Sequence, residues 1–377
     1  MNVDRSDPRI AAFNAKRIRH ALLDQALADV QRLVDYPHAE SVVVLVGPSG
    51  VGKSLVIKAL ERHLLTKYAA EIADDPGFIP FLSVKLNAPL DGNFNWKDFF
   101  IRTLLGGGEV QVDRKRSSGF EAQLDGHAVS AVGSLVREEL RRSLESMVHN
   151  RRVKAILADE ASAMLYQRAG MKRTLPFDIL KCLAIELRIP MILSGAYDLL
   201  GIREGTGQLL RRSEIIHFRR YSFSGRVGDV SHRQVFADVL ATLLSAMDIP
   251  QETGLSEQVD FFFAKSIGCV GVLKDWLARS MAAAIASGGR LTNTLLMRHA
   301  LSNRDLIKMA AEADFGERAL VDSTDDDLAA ALGLPMTPSL SLGHEACPAS
   351  AVPPRSPHPR RVGLRGPSRD PVGVSND

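Results

Sequence analysis

Gly47-Pro48-Ser49-Gly50-Val51-Gly52-Lys53-Ser54 fits the spacing G-x-x-x-x-G-K-[ST] and holds side chains suited to a phosphate chain. Its glycines let the backbone wrap close to phosphate oxygens, with several N–H groups turned inward at a helix N-terminus. Lys53 would reach the β- and γ-phosphates of ATP, and the Ser54 hydroxyl would ligate Mg2+. A second group of side chains lies about a hundred residues on, where Lys154-Ala155-Ile156-Leu157-Ala158 runs into Asp159-Glu160. An apolar strand ending in two carboxylates suits metal-assisted water attack, with Asp159 on the Mg2+ and Glu160 activating water. Taken alone, such a pair is also how an ordinary solvated turn begins.

Three further candidates are weaker. Ser194 ends the apolar run Met191-Ile192-Leu193 and precedes Gly195-Ala196-Tyr197-Asp198, so its hydroxyl either senses a γ-phosphate or caps an ordinary strand end. Arg211 and Arg212 precede another strand-like run, Glu214-Ile215-Ile216-His217-Phe218. They form a solvated face or, in an assembly, reach a neighbour's γ-phosphate. Lys274, early in the helix opened by Gly268-Cys269-Val270-Gly271-Val272-Leu273, either contacts nucleotide or stands in solvent. His217 has no partner ligands at metal-binding spacing and reads as structural, and Cys269 reads as a small buried residue.

The elements that must hold these groups alternate. Ser41–Val46 reads as a buried strand before the glycine loop and Leu55–Leu65 as a helix after it. Further strands are expected at 78–86, 153–158 and 189–194, with helices at 95–105, 135–149 and 177–187. That order predicts an α/β phosphate-loop parallel sheet with helices on both faces. One helical stretch over 8–35 precedes it. After Tyr221 the pattern becomes helical, at 236–247, 258–266, 272–286, 295–301 and 306–313, with no convincing strand. The boundaries read as 1–40 for an N-terminal helical segment, 41–222 for the nucleotide-binding core and 223–318 for a helical lid. Residues 319–377 read as a linker and a disordered tail, since 335–377 hold nine of the 18 prolines and little apolar content to offset ordering entropy.

With 377 residues, 45% hydrophobic and 24% charged, the chain has the composition of a soluble protein of two or three domains. The net charge of +3 permits nucleic-acid contact without requiring it. Cys182, Cys269 and Cys347 form no C-x-x-C pair, which argues against a zinc site or a disulfide framework. The charged N-terminus and the lack of a long apolar run lead to the expectation of a cytoplasmic protein with no membrane contact. Arg114-Lys115-Arg116 and the group Arg151, Arg152 and Lys154 could neutralise DNA phosphates without reading sequence, or be solvated basic loops.

The glycine loop, the Asp-Glu strand end, the polar strand tip, the paired arginines and the helical lid resemble, in this order, an AAA+ ATPase module. Residues 194–200, 207–213, 216–221 and 268–277 carry a narrower likeness to the TnsC/TniB type, ATP-dependent regulators of bacterial DNA transposition. The likeness spans roughly residues 8–315. It implies an ATP-driven homo-oligomer, a ring or helical filament, that assembles on duplex DNA without sequence preference. It also implies that the assembly receives a target-selecting protein and recruits transposase subunits, with Arg212 as the best match to the arginine finger. Two departures stand out: Ala196 occupies a position where the family commonly has Thr, and Asp159-Glu160 is followed by Ala161-Ser162-Ala163 rather than by Ala-His or Ala-Gln. The competing expectation is a nucleotide-dependent signalling or interaction ATPase that never contacts DNA.

Overall fold

The computed structural model describes residues 7–37, 42–89, 92–109, 128–166, 175–204 and 213–334. Five parallel strands form the central sheet in the order β2-β3-β4-β1-β5. They are β1 (Val42–Val46), β2 (Phe81–Lys85), β3 (Ala155–Asp159), β4 (Met191–Gly195) and β5 (Ser213–His217). Every residue of β1 is buried, as expected of a Val/Leu run covered on both faces. β1 pairs with β4 on one side and β5 on the other, which sets Val46 beside both Gly195 and His217. The carboxyl ends of β1, β3 and β4 therefore meet at one edge, where open α/β sheets place ligands.

One face of the sheet packs against α2 (Ala21–Asp35) and α3 (Lys53–Lys67). The other packs against α5 (Trp96–Gly106), α6 (Ala128–Asn150) and α7 (Leu175–Leu187). A short α4 (Ala69–Asp74), not foreseen from the sequence, links α3 to β2. β2 begins only after Pro80, as a residue lacking an N–H donor dictates.

The expected helix over 8–35 is two helices, α1 (Pro8–Ala15) and α2, separated at Lys16–His20. The His20 ring accepts from the Leu23 N–H and caps α2. The carbonyls of Asn14 and Lys16 turn instead to the Lys274 ammonium, 260 and 258 positions away.

Beyond β5 come α8 (His232–Ser245), α9 (Val259–Ser266), α10 (Val270–Ala286), α11 (Asn293–His299) and α12 (Asn303–Ala319). The helical reading of this region needs one correction. A two-stranded antiparallel ribbon, β6 (Arg226–Val227) with β7 (Val230–Ser231), precedes α8. Two residues per strand leave too short a run for any alternating pattern.

The sheet and the helices beyond β5 share one apolar core, in which Val43 and Leu45 join Phe218, Tyr221, Phe236 and Trp276. The chain accordingly forms one compact unit over Met1–Val321, and Asp322–Asp377 forms another. Within the stretch read as linker and tail, α13 (Asp325–Leu332) carries a capping box made by Thr324 and Asp327. Residues 335–377 lie outside the described residues. Among the described residues no helix is long and apolar enough to cross a membrane.

Candidate phosphate-binding site

The loop from Gly47 to Gly52 joins β1 to α3. Gly50 (φ 77°) and Gly52 (φ 113°) adopt backbone conformations open to glycine and strained for other residues. Gly52 is the N-cap of α3 and makes no side-chain cap, so no side chain takes the amides that open the helix. The Lys53 ammonium donates to the carbonyls of Gly47 (2.8 Å) and Pro48 (2.9 Å). That arches the loop and leaves one of its three protons for a ligand. Burial lowers the Lys53 pKa, opposed by the charges of Glu160, Asp159 and Asp198. A partly buried cation in the field of nearby carboxylates, at the helix end of a glycine loop, fits a phosphate chain that brings its own divalent cation.

Asp159 is the last residue of β3, and its Oδ1 accepts the Glu160 N–H at 3.0 Å. Glu160 itself sits at φ 57°, a left-handed conformation costing about 1 kcal/mol or more in a non-glycine residue. That turn takes the chain from the strand into a 3-10 helix at Ala161–Leu165 and leaves the Glu160 side chain exposed at the sheet edge. Ser194, one residue from the end of β4, is fully buried with no hydrogen-bond partner for its hydroxyl. An orphaned buried hydroxyl is rare enough to require an explanation. Its strand neighbour is Leu45, two residues before the glycine loop.

Residues 36–202 match the family model described as AAA domain. The chain carries an AAA-type ATPase domain. No curated protein matches it. Among solved structures it is similar to the ORC2 protein of Aeropyrum pernix in its ADP form, at 16% identity and a TM-score of 0.50, covering 77% of this chain and 71% of that one. It is also similar to the ORC1 protein of Aeropyrum pernix in complex with DNA, at 16% identity and a TM-score of 0.48, covering 77% and 68%. A third likeness is to domain III of the Thermotoga maritima replication initiation protein DnaA, at 10% identity and a TM-score of 0.42, covering 78% and 96%. At these identities the likeness concerns the fold.

The helices beyond β5 touch the glycine loop directly. The Gly271 N–H, in the first turn of α10, donates to the Gly50 carbonyl at 2.8 Å. A Cβ at Gly271 would stand 2.3 Å from that oxygen, and one at Gly50 would stand 2.6 Å from a Val272 methyl. Behind this contact the Phe218 N–H donates to the Val46 carbonyl, and the Tyr221 N–H to the Gly268 carbonyl. The segment after β5 is thus stitched to both the loop and the lid. Residues 268–277 carry the family likeness, and the glycine spacing within them is the local signal for Gly271.

The remaining candidates fall in different places. The Lys274 ammonium, expected either to contact nucleotide or to stand in solvent, donates to the carbonyls of Asn14 and Lys16 at 2.8 and 2.6 Å and so ties α10 to the end of α1. Arg211 and Arg212 lie outside the described residues, as do Arg114, Lys115 and Arg116. Arg152 pairs with Asp75 at 2.7 Å, Arg151 donates to the Gly77 carbonyl, and Lys154 lies over the Tyr68 and Phe78 rings. These three stand at the amino end of β3, away from the glycine loop. His217 shares a 2.9 Å hydrogen bond with the Tyr197 hydroxyl. Burial pushes the Cys269 thiol up to about 12, which leaves it un-ionised. Among the described residues no group of three or more His, Cys, Asp or Glu could hold a metal by itself. A divalent ion here would need phosphate oxygens beside Ser54 and Asp159.

Proposed function

We propose that this AAA domain binds ATP with Mg2+, hydrolyses the γ-phosphate, and uses the cycle to assemble and disassemble on duplex DNA as a transposition regulator of the TnsC/TniB type. The observation that carries the ATPase part is the meeting of Lys53 with Asp159 and Glu160 at one sheet edge, under a lid whose Gly271 is bonded to the loop. The loop amides and Lys53 bind the phosphate chain, and Ser54 and Asp159 hold the Mg2+. When bound, Mg2+ draws negative charge from the bridging phosphate oxygens. Glu160 accepts a proton from the attacking water, and Ser194 supplies a hydroxyl beside the γ-phosphate. Arg212, with Arg211 as a second candidate, completes the site from a neighbouring copy in a ring or filament. Its positive charge would stabilise charge developing on the γ-phosphate.

The DNA, transposase and target-selecting roles rest on the sequence likeness at 194–221 and 268–277. A cytoplasmic location belongs to the same reading. One observation favours an interaction ATPase without DNA contact: Arg152 and Lys154 are occupied by Asp75 and by aromatic rings. Retention of plain duplex DNA, measured with a slowly hydrolysed ATP analogue, with ADP and at rising salt, decides between the two. The transposition reading expects ATP-dependent retention that falls steeply with salt. Absent retention in both nucleotide states would leave the interaction ATPase, and equal retention in both would mean DNA contact without an ATP-driven cycle.

A further inference from the structure

The tips of β3 and β4 reach past the ladder that joins them. Their register runs Ile156 with Met191, Leu157 with Ile192 and Ala158 with Leu193, and stops there. Asp159, Glu160 and Ser194 all lie beyond the last pair. β4 continues along β1 as far as Gly195 beside Val46, so its tip is fixed to the root of the glycine loop. No backbone pairing fixes the tip of β3 to the tip of β4.

Ser162 bridges that gap. It is the second residue of the 3-10 helix that follows Glu160, and the turn is anchored by the buried Ala161, Ala163 and Met164. Its hydroxyl accepts the Ala196 N–H at 3.0 Å and donates to Asp198 Oδ1 at 2.6 Å. The second bond is short, as expected when the acceptor is ionised. The approach depends on Gly195, where a Cβ would stand 2.8 Å from the Ser162 oxygen and 2.6 Å from a Leu199 methyl. Asp198, clasped in this way, is one of the charges acting on Lys53.

We propose that Ser162 is a positioning residue for hydrolysis, its hydroxyl clasping Asp198 and the Ala196 amide so that Glu160, just past the end of β3, keeps a fixed spacing from Ser194 on β4 and from the glycine loop. It touches no substrate atom and acts through the two strand tips. The inference rests on the ATPase reading above. Its chemical requirement is one hydroxyl that both donates and accepts, and Asp198 serves as acceptor.

The test compares Ser162→Ala, Asp198→Ala, Asp198→Asn and the double Ser162→Ala/Asp198→Ala variant in the full chain with duplex DNA present. ATP affinity is read by titration with a slowly hydrolysed analogue, turnover by phosphate release, and folding by melting temperature. Ser162→Ala is expected to lower kcat about tenfold, the rate equivalent of one charge-assisted hydrogen bond, with analogue affinity within about twofold of wild type. Asp198→Ala should match it, and the double variant should be no worse than either single one, because both remove the same clasp. Asp198→Asn keeps an oxygen acceptor and should retain most of the turnover. Wild-type kcat in Ser162→Ala, or multiplying losses in the double variant, would overturn the clasp. So would loss of affinity equal to the loss of rate.

Amide exchange across residues 194–198 supplies a readout independent of turnover. It should speed up about tenfold in Ser162→Ala, since the Ala196 N–H loses its acceptor. A wild-type protein that binds ATP without hydrolysing it would defeat the ATPase reading alone, and the clasp would then stand or fall on that exchange. Unchanged protection at Ala196 would sink it.

Discussion

Gly271→Ala sets two physical effects against each other. Alanine in a helical first turn is favoured over glycine by up to about 1 kcal/mol, so an unobstructed site would gain stability. Here the added methyl would meet the Gly50 carbonyl oxygen at 2.3 Å and its carbon at 3.1 Å. Both are backbone atoms, so neither can swing aside as a flexible side chain would. Relief requires α10 to lift from the loop, stretching the 2.8 Å bond from the Gly271 N–H, or requires the loop to move. Overpacking of this kind costs about 1–3 kcal/mol. Set against the propensity gain, a net loss of up to about 2 kcal/mol follows, or a melting temperature lower by up to roughly 3 °C for a unit of this size. Because Gly50 lies inside the phosphate loop, affinity for a slowly hydrolysed ATP analogue should fall about tenfold. Thermal melts and calorimetric titration measure the two effects. Gly201→Ala is the control, since a Cβ there meets nothing nearer than 4.0 Å. A higher melting temperature with unchanged affinity in Gly271→Ala would mean that the lid does not seat on the loop.

Glu160→Gln should bind ATP with near wild-type affinity and turn over far more slowly, because an amide cannot accept the proton of water; single-turnover phosphate release checks it. Arg212→Ala should bind ATP, fail to hydrolyse it, and recover part of the activity when mixed with Lys53→Ala, a subunit with its own arginine but no loop lysine. Co-assembly without recovery would remove the arginine from a neighbour's site. His20 is buried against Tyr221, with its pKa pushed down to about 4 by burial from an ordinary 6.5. Between those values the unfolded chain binds more protons than the folded one, so stability is held above pH 6.5 and falls as pH drops toward 4. The loss approaches about 3 kcal/mol. Chemical denaturation at pH 7.5, 6, 5 and 4.5 should show that slope in wild type and a flatter one in His20→Gln.

The glycine loop and the strand-end carboxylates could be read from the chain because their geometry is encoded within a few residues. Gly50 and Gly52 supply the backbone angles that bend the loop, and Lys53 returns to carbonyls only five and six positions back. The strand ending in Asp159-Glu160 declared itself through a buried apolar run that stops at two charges, and the alternation of such runs with helical periods gave the parallel sheet. Long-range assembly was decided elsewhere. Nothing near Lys274 says that its ammonium will close the end of α1, nor that this will divide one helical period into two. Nothing near Ser162 names Asp198 as its partner, and Gly271 looks like any glycine in a weak helix start until Gly50 is packed against it. These contacts carry no local signature, because a hydrogen bond between distant segments depends on how both are packed. The sequence determined the local geometry of the glycine loop and the strand-end acids; only the tertiary structure decided which distant residues hold the loop, the acids and the helices beyond β5 together.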